Sequence, residues 1–103
     1  RDNVESRGLG DVYKRQVACY PNPFNGKLNI RYHINKASNI HAIIYDLSGK
    51  VIKSFKYEQK YPGQHQLIWD TKNNNGDAVA TGLYFISLSS KNRTTNKKVL
   101  YLK

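Results

Sequence analysis

Leu28, Ile30, Tyr32 and Ile34 alternate with Asn29, Arg31 and His33, a run that only an extended chain can use. Successive side chains of a strand point to opposite faces, so strict alternation describes a strand with one face on a core and the other in water. The pattern recurs. Ile40, Ala42 and Ile44 alternate with His41, Ile43 and Tyr45; Val51, Ile52 and Phe55 begin a third strand; His65, Leu67 and Trp69 share one face. Gly82 opens another strand through Leu83 to Ser89, and the chain closes on a strand through Lys97 to Leu102. Short strands at this spacing with no amphipathic helical period predict an all-β fold, a small antiparallel β-sandwich of about seven strands. Trp69, Ile30, Ile44, Leu67 and Phe85 are its expected core.

Turn chemistry separates these runs. Asp46-Leu47-Ser48-Gly49-Lys50 predicts a tight turn in which Asp46 caps backbone N–H groups and Gly49 takes positive φ. Tyr61-Pro62-Gly63, the loop 70–77 ending on Asn75-Gly76, and Lys91-Asn92-Arg93 supply further turns. In Cys19-Tyr20-Pro21-Asn22-Pro23-Phe24-Asn25-Gly26 both prolines lack a backbone donor, which excludes a central strand. That run reads as a rigid plug laying Tyr20 and Phe24 over one end of the sandwich, with Asn25-Gly26 turning into the first alternating strand.

The 103 residues make one domain, and their twelve per cent aromatic content, with eight tyrosines, suits a half-buried pleated surface. The formal charge of +10 comes from 17 basic and 7 acidic residues. Lys27, Lys36, Lys50, Lys53, Lys56, Lys60 and Lys72 stand singly along the chain, so they read as solvated faces and protected strand edges rather than a nucleic-acid stripe. No run approaches the ~20 apolar residues of a membrane span, and no membrane insertion is expected.

Catalytic and metal readings find little to stand on. Cys19 is alone, which excludes an internal disulfide and a multi-cysteine metal site, and no base is placed beside it. Asp46 and Asp70 follow strands, where a carboxylate ordinarily caps a turn. If 28–34 and 40–46 form a hairpin about Ala37, His33 and His41 face each other on the polar side, but His65 is too distant to complete a zinc site. Asp70, Asn73, Asn75 and Asp77 offer hard oxygen ligands, yet Thr71 and Gly82 stand where a calcium loop needs acids; a hydrogen-bonded asparagine turn is the expected alternative. Asn92-Arg93-Thr94 is a glycosylation sequon by pattern only. No enzyme activity, cofactor or metal is expected.

Residues 1–16 differ in character, with alternating charges, Gly8 and Gly10, and no apolar period. Gly8 to Gln16 resembles a translated sequencing adapter, so 1–16 is set apart as a non-native, disordered segment and the domain is placed at 17–103. The segment holds four basic and three acidic residues, which leaves the domain a net +9.

Four motifs stand in order along 17–103: Pro21-Asn22-Pro23, Tyr45-Asp46-x-x-Gly49, Gly82-x-Tyr84, and the terminal Lys97-Lys98-Val99-Leu100-Tyr101-Leu102-Lys103. This order resembles the type A C-terminal sorting domain of proteins exported by the type IX (Por) secretion system, a family related to the Ig-like domain of flagellar hook-capping proteins. The family's Trp-Asp pair usually continues with glycine, whereas here Thr71 follows Trp69-Asp70. The resemblance implies an Ig-like sandwich with no catalysis of its own. It directs an upstream cargo across the outer membrane to the cell surface, where a sortase-like peptidase removes it. Its implied partners are the secretion machinery, that peptidase and the cargo, with Gly49, Gly82, Tyr84, Lys97, Lys98, Val99, Leu100, Leu102 and Lys103 as recognition residues. Residues 1–16 hold no apolar core of a signal peptide, so the chain reads as the C-terminal part of a longer protein. An accessory carbohydrate-binding sandwich and an Ig-like assembly module are the alternatives.

Overall fold

A computed structural model of the protein describes residues 17–90 and 93–103, without the Gln59 side chain. The segment 1–16, the Lys91-Asn92 part of the last turn and the sequon's Asn92 lie outside the described residues.

Seven strands form: β1 (Val17–Tyr20), β2 (Leu28–Ile34), β3 (Ser38–Asp46), β4 (Val51–Lys60), β5 (Gly63–Trp69), β6 (Gly82–Ser90) and β7 (Arg93–Tyr101). They make two antiparallel sheets, ordered β1-β2-β5 and β4-β3-β6-β7. The expected all-β sandwich is therefore what the chain adopts. Leu28, Ile30, Tyr32 and Ile34 bury their face against Ile40, Ala42 and Ile44 of the opposite sheet, and every one of these side chains is buried.

That arrangement corrects the hairpin about Ala37. β2 pairs with β1 and β5, whereas β3 pairs with β4 and β6, so the chain crosses between sheets after Ile34. His33 lies opposite Gln64 and His41 opposite Lys56 and Ser89, in different sheets. The reason is burial: both strands carry an apolar face, and stacking them across a core covers both at once.

β6 departs from expectation in a second way. Tyr84, Ile86 and Leu88 are buried and Phe85 is only half-buried, on the outer face opposite Tyr45 and Lys98. Leu83, Tyr84, Phe85 and Ile86 are apolar on both faces, so alternation there does not choose a side. Tyr84 goes inward because it can bury its ring and still donate its hydroxyl to the Ala80 carbonyl.

β4 holds two register shifts against β3, between Ser38 and Ile40 and between Ile44 and Tyr45. The second lets Ile52, Phe55 and Tyr57 all pack on the core although they do not share parity.

Candidate functional site

The four motifs meet at one end of the sandwich. Phe24 follows Pro21-Asn22-Pro23, Trp69 ends β5, Tyr84 lies in β6 and Tyr101 ends β7. Their rings form a closed set: Phe24–Tyr101 centroids are 5.0 Å apart, Trp69–Tyr84 5.3 Å, Phe24–Trp69 5.9 Å and Tyr84–Tyr101 6.5 Å. All four residues are buried, and the Trp69 indole N–H donates to the Lys72 carbonyl at 3.0 Å. Each ring comes from a different stretch of chain, so this end closes only when all four strands and loops are in place. The edge-on and stacked contacts each add roughly 0.5–1.5 kcal/mol beyond the area they bury.

Only one ring of the expected plug is a plug. Phe24 is 2% exposed, whereas Tyr20 is 37% exposed and lies under the Arg31 guanidinium, 5.7 Å from its ring centroid. Both X–Pro bonds of the run are cis. The Pro-Asn-Pro segment also acts as a clamp on β7. The Phe24 N–H donates to the Leu100 carbonyl at 3.0 Å, and the Leu102 N–H donates back to the Phe24 carbonyl at 2.8 Å. The Asn22 side chain accepts from the Leu100 N–H at 3.0 Å and donates to the Lys98 carbonyl at 3.4 Å. β7 is an edge strand, and this clamp covers the outer edge of its C-terminal half. The alternation of backbone groups leaves those of Thr94 and Asn96 facing the uncovered remainder. No pattern in the sequence announces the clamp, because its contacts span 76 and 78 residues.

The Tyr45-Asp46-x-x-Gly49 motif is the β3–β4 turn. Asp46 Oδ1 accepts from the Ser48 N–H at 2.9 Å, the Ser48 hydroxyl at 2.7 Å and the Lys50 N–H at 3.0 Å. These hydrogen bonds, that to the Ser48 hydroxyl first, hold the Asp46 carboxyl below its ordinary value. Gly49 takes φ 89°, as a left-handed turn position requires. Asp46 lies opposite Tyr84, where burial first, then Asp46 and Tyr101, raises the tyrosine's pKa.

The remaining expected recognition residues divide by exposure. Tyr84 and Val99 are core, so a partner can feel them only through the fold they hold. Gly82 begins β6 opposite Tyr101, with open space where a Cβ would stand. Lys97 and Lys98 are exposed, Leu100 half-buried, and Leu102 and Lys103 exposed beside Pro21, Pro23 and Asn25. The Lys103 N–H reaches the Thr81 hydroxyl at 3.3 Å.

The loop 70–77 is a hydrogen-bonded asparagine turn. Asn73 Oδ1 accepts from the N–H groups of Asn75 and Asp77, Asn74 Oδ1 from that of Ser54, and Asp70 Oδ1 from that of Lys72. Two of the four side chains considered for a cation, Asp70 and Asn73, thus each have an oxygen engaged by backbone amides. Thr71, in the place of the family's glycine, has φ 64°. Cys19 is half-buried; burial pushes its thiol up to about 11 against the opposing pull of Lys97, so it is a poor nucleophile at neutral pH. Among the described residues no group of three or more His, Cys, Asp or Glu is placed to hold a metal.

Comparison with known proteins places this geometry. The sequence matches the family described as secretion system C-terminal sorting domain over residues 18–101. A comparison with curated proteins finds no similar sequence. Among solved structures, the chain is similar to dimeric latent PorU from Porphyromonas gingivalis at 24% identity and a TM-score of 0.62, covering 84% of this chain and 9% of that one. PorZ, a surface component of the type IX secretion system of the same organism, is 17% identical with a TM-score of 0.60, over 84% of this chain and 11% of its own. FlgD from Xanthomonas campestris, a protein of flagellar hook capping, is 21% identical with a TM-score of 0.58, over 74% and 56%. At these identities the likeness to solved structures establishes the fold alone, and the chain spans only a small part of PorU and PorZ. The family match covers most of the sandwich, with all four motifs within it or overlapping it, and the chain belongs to the family of type IX secretion system C-terminal sorting domains.

Proposed function

We propose that residues 17–103 serve as an export tag, read by the type IX machinery and cut from its cargo by a sortase-like peptidase at the surface, with no catalysis of its own. The observation that carries this reading is polarity along the sandwich. The chain joins at Val17, which lines a cleft with Ile34, Leu88, Ser90 and Arg93 at one end. The aromatic cluster, the Asp46 turn and the exposed Leu102 and Lys103 occupy the other. A cargo attached before Val17 therefore leaves the motif end unobstructed. The exposed Lys97, Lys98 and Lys103, with Leu100 and Leu102, are the tail residues a receptor reaches; Gly49, Gly82, Tyr84 and Val99 contribute by building the surface that presents them. The part of the β7 edge at Thr94 and Asn96 that is unpaired among the described strands suits pairing with a partner strand.

The test is a periplasmic reporter fused ahead of residues 17–103. We expect it at the surface of a type IX-competent bacterium and in the periplasm of a secretion mutant. A fusion that stays in the periplasm of the competent host overturns the reading. Deleting 98–103 is a poor probe of recognition, because Val99 and Tyr101 are core and their loss unfolds the sandwich. The charge reversal of Lys97 and Lys103 to Glu alters only exposed side chains. Normal export of that folded double variant would exclude charge reading at the tail. Three of the eight tyrosines that motivate a carbohydrate-binding alternative, Tyr32, Tyr84 and Tyr101, are in the core, and exposed Tyr20 and Tyr61 lie in different parts of the chain.

A further inference from the structure

The two outer faces of the sandwich are unlike. The three-stranded sheet presents Asn29, Arg31, His33, Gln64 and Gln66, with only Ile68 and the Arg31-capped Tyr20 as large apolar groups among them. The four-stranded sheet presents an apolar row instead. Register places Val51 opposite Tyr45, and Tyr45 opposite Phe85, so three apolar side chains line up across β4, β3 and β6. Ile43 lies two residues along the same face between Ser54 and Ser87, whose small side chains do not cover it. Leu83 and Leu100 pair with each other on the other flank. Val51 is 47% exposed and the other five are partly exposed, although the core has ample apolar residues without them. A contiguous apolar strip on a face that would otherwise be polar is the mark of an interaction surface.

The charge around the strip is predominantly positive. Lys98 ends the row opposite Phe85, Lys50 precedes Val51, and Lys56 lies opposite His41 on the same face. Of the nearby carboxylates, Asp46 is committed to its turn, and Glu58 stands one strand repeat beyond Lys56. We infer that the outer face of the four-stranded sheet, centred on Tyr45, Val51 and Phe85, docks a protein partner whose surface has an apolar centre and an acidic border. This rests on the export reading and names the surface that a component of the machinery contacts. An apolar centre supplies affinity, and the lysine border supplies orientation and association rate.

The test uses the full chain of residues 1–103 behind the same reporter, and a paired variant, Val51→Ser with Phe85→Thr. Both positions keep residue types that strands accept, and neither side chain belongs to the core, so the variant is expected to melt close to the parent. Ile68→Thr, which removes an equally exposed apolar side chain from the opposite face, is the control. We expect surface delivery to fall about tenfold or more in the paired variant, since anchors at the centre of an interface carry most of its affinity. Ile68→Thr should match the parent, and Lys98→Glu should reduce delivery in part. A folded paired variant delivered like the parent overturns the docking surface while leaving the export reading standing. If the parent itself is not delivered, the export reading falls, and this inference with it. If sedimentation shows the isolated chain to be a dimer that the paired variant dissociates, the strip binds a second copy and the acidic partner is wrong.

Discussion

Trp69 is fully buried, touches two rings of the aromatic cluster and spends its N–H on a carbonyl. Trp69→Ala removes a large, fully buried side chain and leaves a cavity, and should cost about 3–5 kcal/mol, much of the stability of a domain this size. Loss of the cooperative unfolding transition at 37 °C would be the readout. Thr71 makes a subtler case. A β-branched residue at φ 64° holds a conformation that suits glycine. Thr71→Gly and Thr71→Ala both remove the hydroxyl and methyl, but only glycine also removes the Cβ that strains the backbone, so the glycine variant should be more stable than the alanine variant by roughly 1 kcal/mol. Equal melting temperatures would show that the loop relaxes around residue 71. At Asp46 the carboxyl's pKa is lowered in the folded protein, so its contribution is present above the unfolded carboxylate range and is lost as pH falls through the folded value. Asp46→Asn should therefore lower the melting temperature at neutral pH and make little difference in strong acid. A pH-independent effect would mean that the turn depends on the shape of the side chain alone.

Among the elements, β7 is the one whose environment changes along its length. Its C-terminal half is bracketed between β6 and the Asn22-Pro23-Phe24 clamp, whereas among the described residues its N-terminal half pairs with β6 alone, with β1 of the other sheet packed beside the strand. Edge strands invite unwanted pairing, and the clamp removes half of that edge without adding an eighth strand. Asn22→Ala withdraws a donor and an acceptor together and should cost about 1–2 kcal/mol. Amide exchange, followed residue by residue, should quicken at Leu100 first. Unchanged protection there would mean that the Phe24 backbone bridge suffices to hold the tail. β4 shows the opposite solution, where bulges bend the outer strand so that Ile52, Phe55 and Tyr57 all reach the core.

For the molecule as a whole, net positive charge works against compactness. Residues 17–103 carry thirteen basic and four acidic side chains, and folding brings them together on a small surface. Self-repulsion of that kind is screened within about 10 Å at 0.1 M salt. The melting temperature should therefore rise as salt is raised from a few millimolar toward physiological strength, and a flat or falling curve would show that lysine pairing outweighs repulsion. The same charge would draw an acidic receptor, so export efficiency and fold stability pull against each other in any variant that adds acidic residues.

Alternation was enough to place β2 and β3 and to identify their buried faces, and Asp46 with Gly49 and Pro62-Gly63 marked the turns after β3 and β4, because these are local consequences of backbone geometry. The motifs carried the family in the same way. What local pattern did not contain was partnership. A period of two divides a strand into two faces but does not say which strand lies beside it, so β2 and β3 read as a hairpin when they stack across the core. Where both faces were apolar, as in β6, only the cluster around Trp69 could decide that Tyr84 turns inward and Phe85 outward. The clamp of Asn22 on Leu100 joins residues 78 apart, and the apolar strip exists only because register aligns Val51, Tyr45 and Phe85 from three strands. Long-range burial selects among locally equivalent arrangements, and that selection is made when the two sheets close.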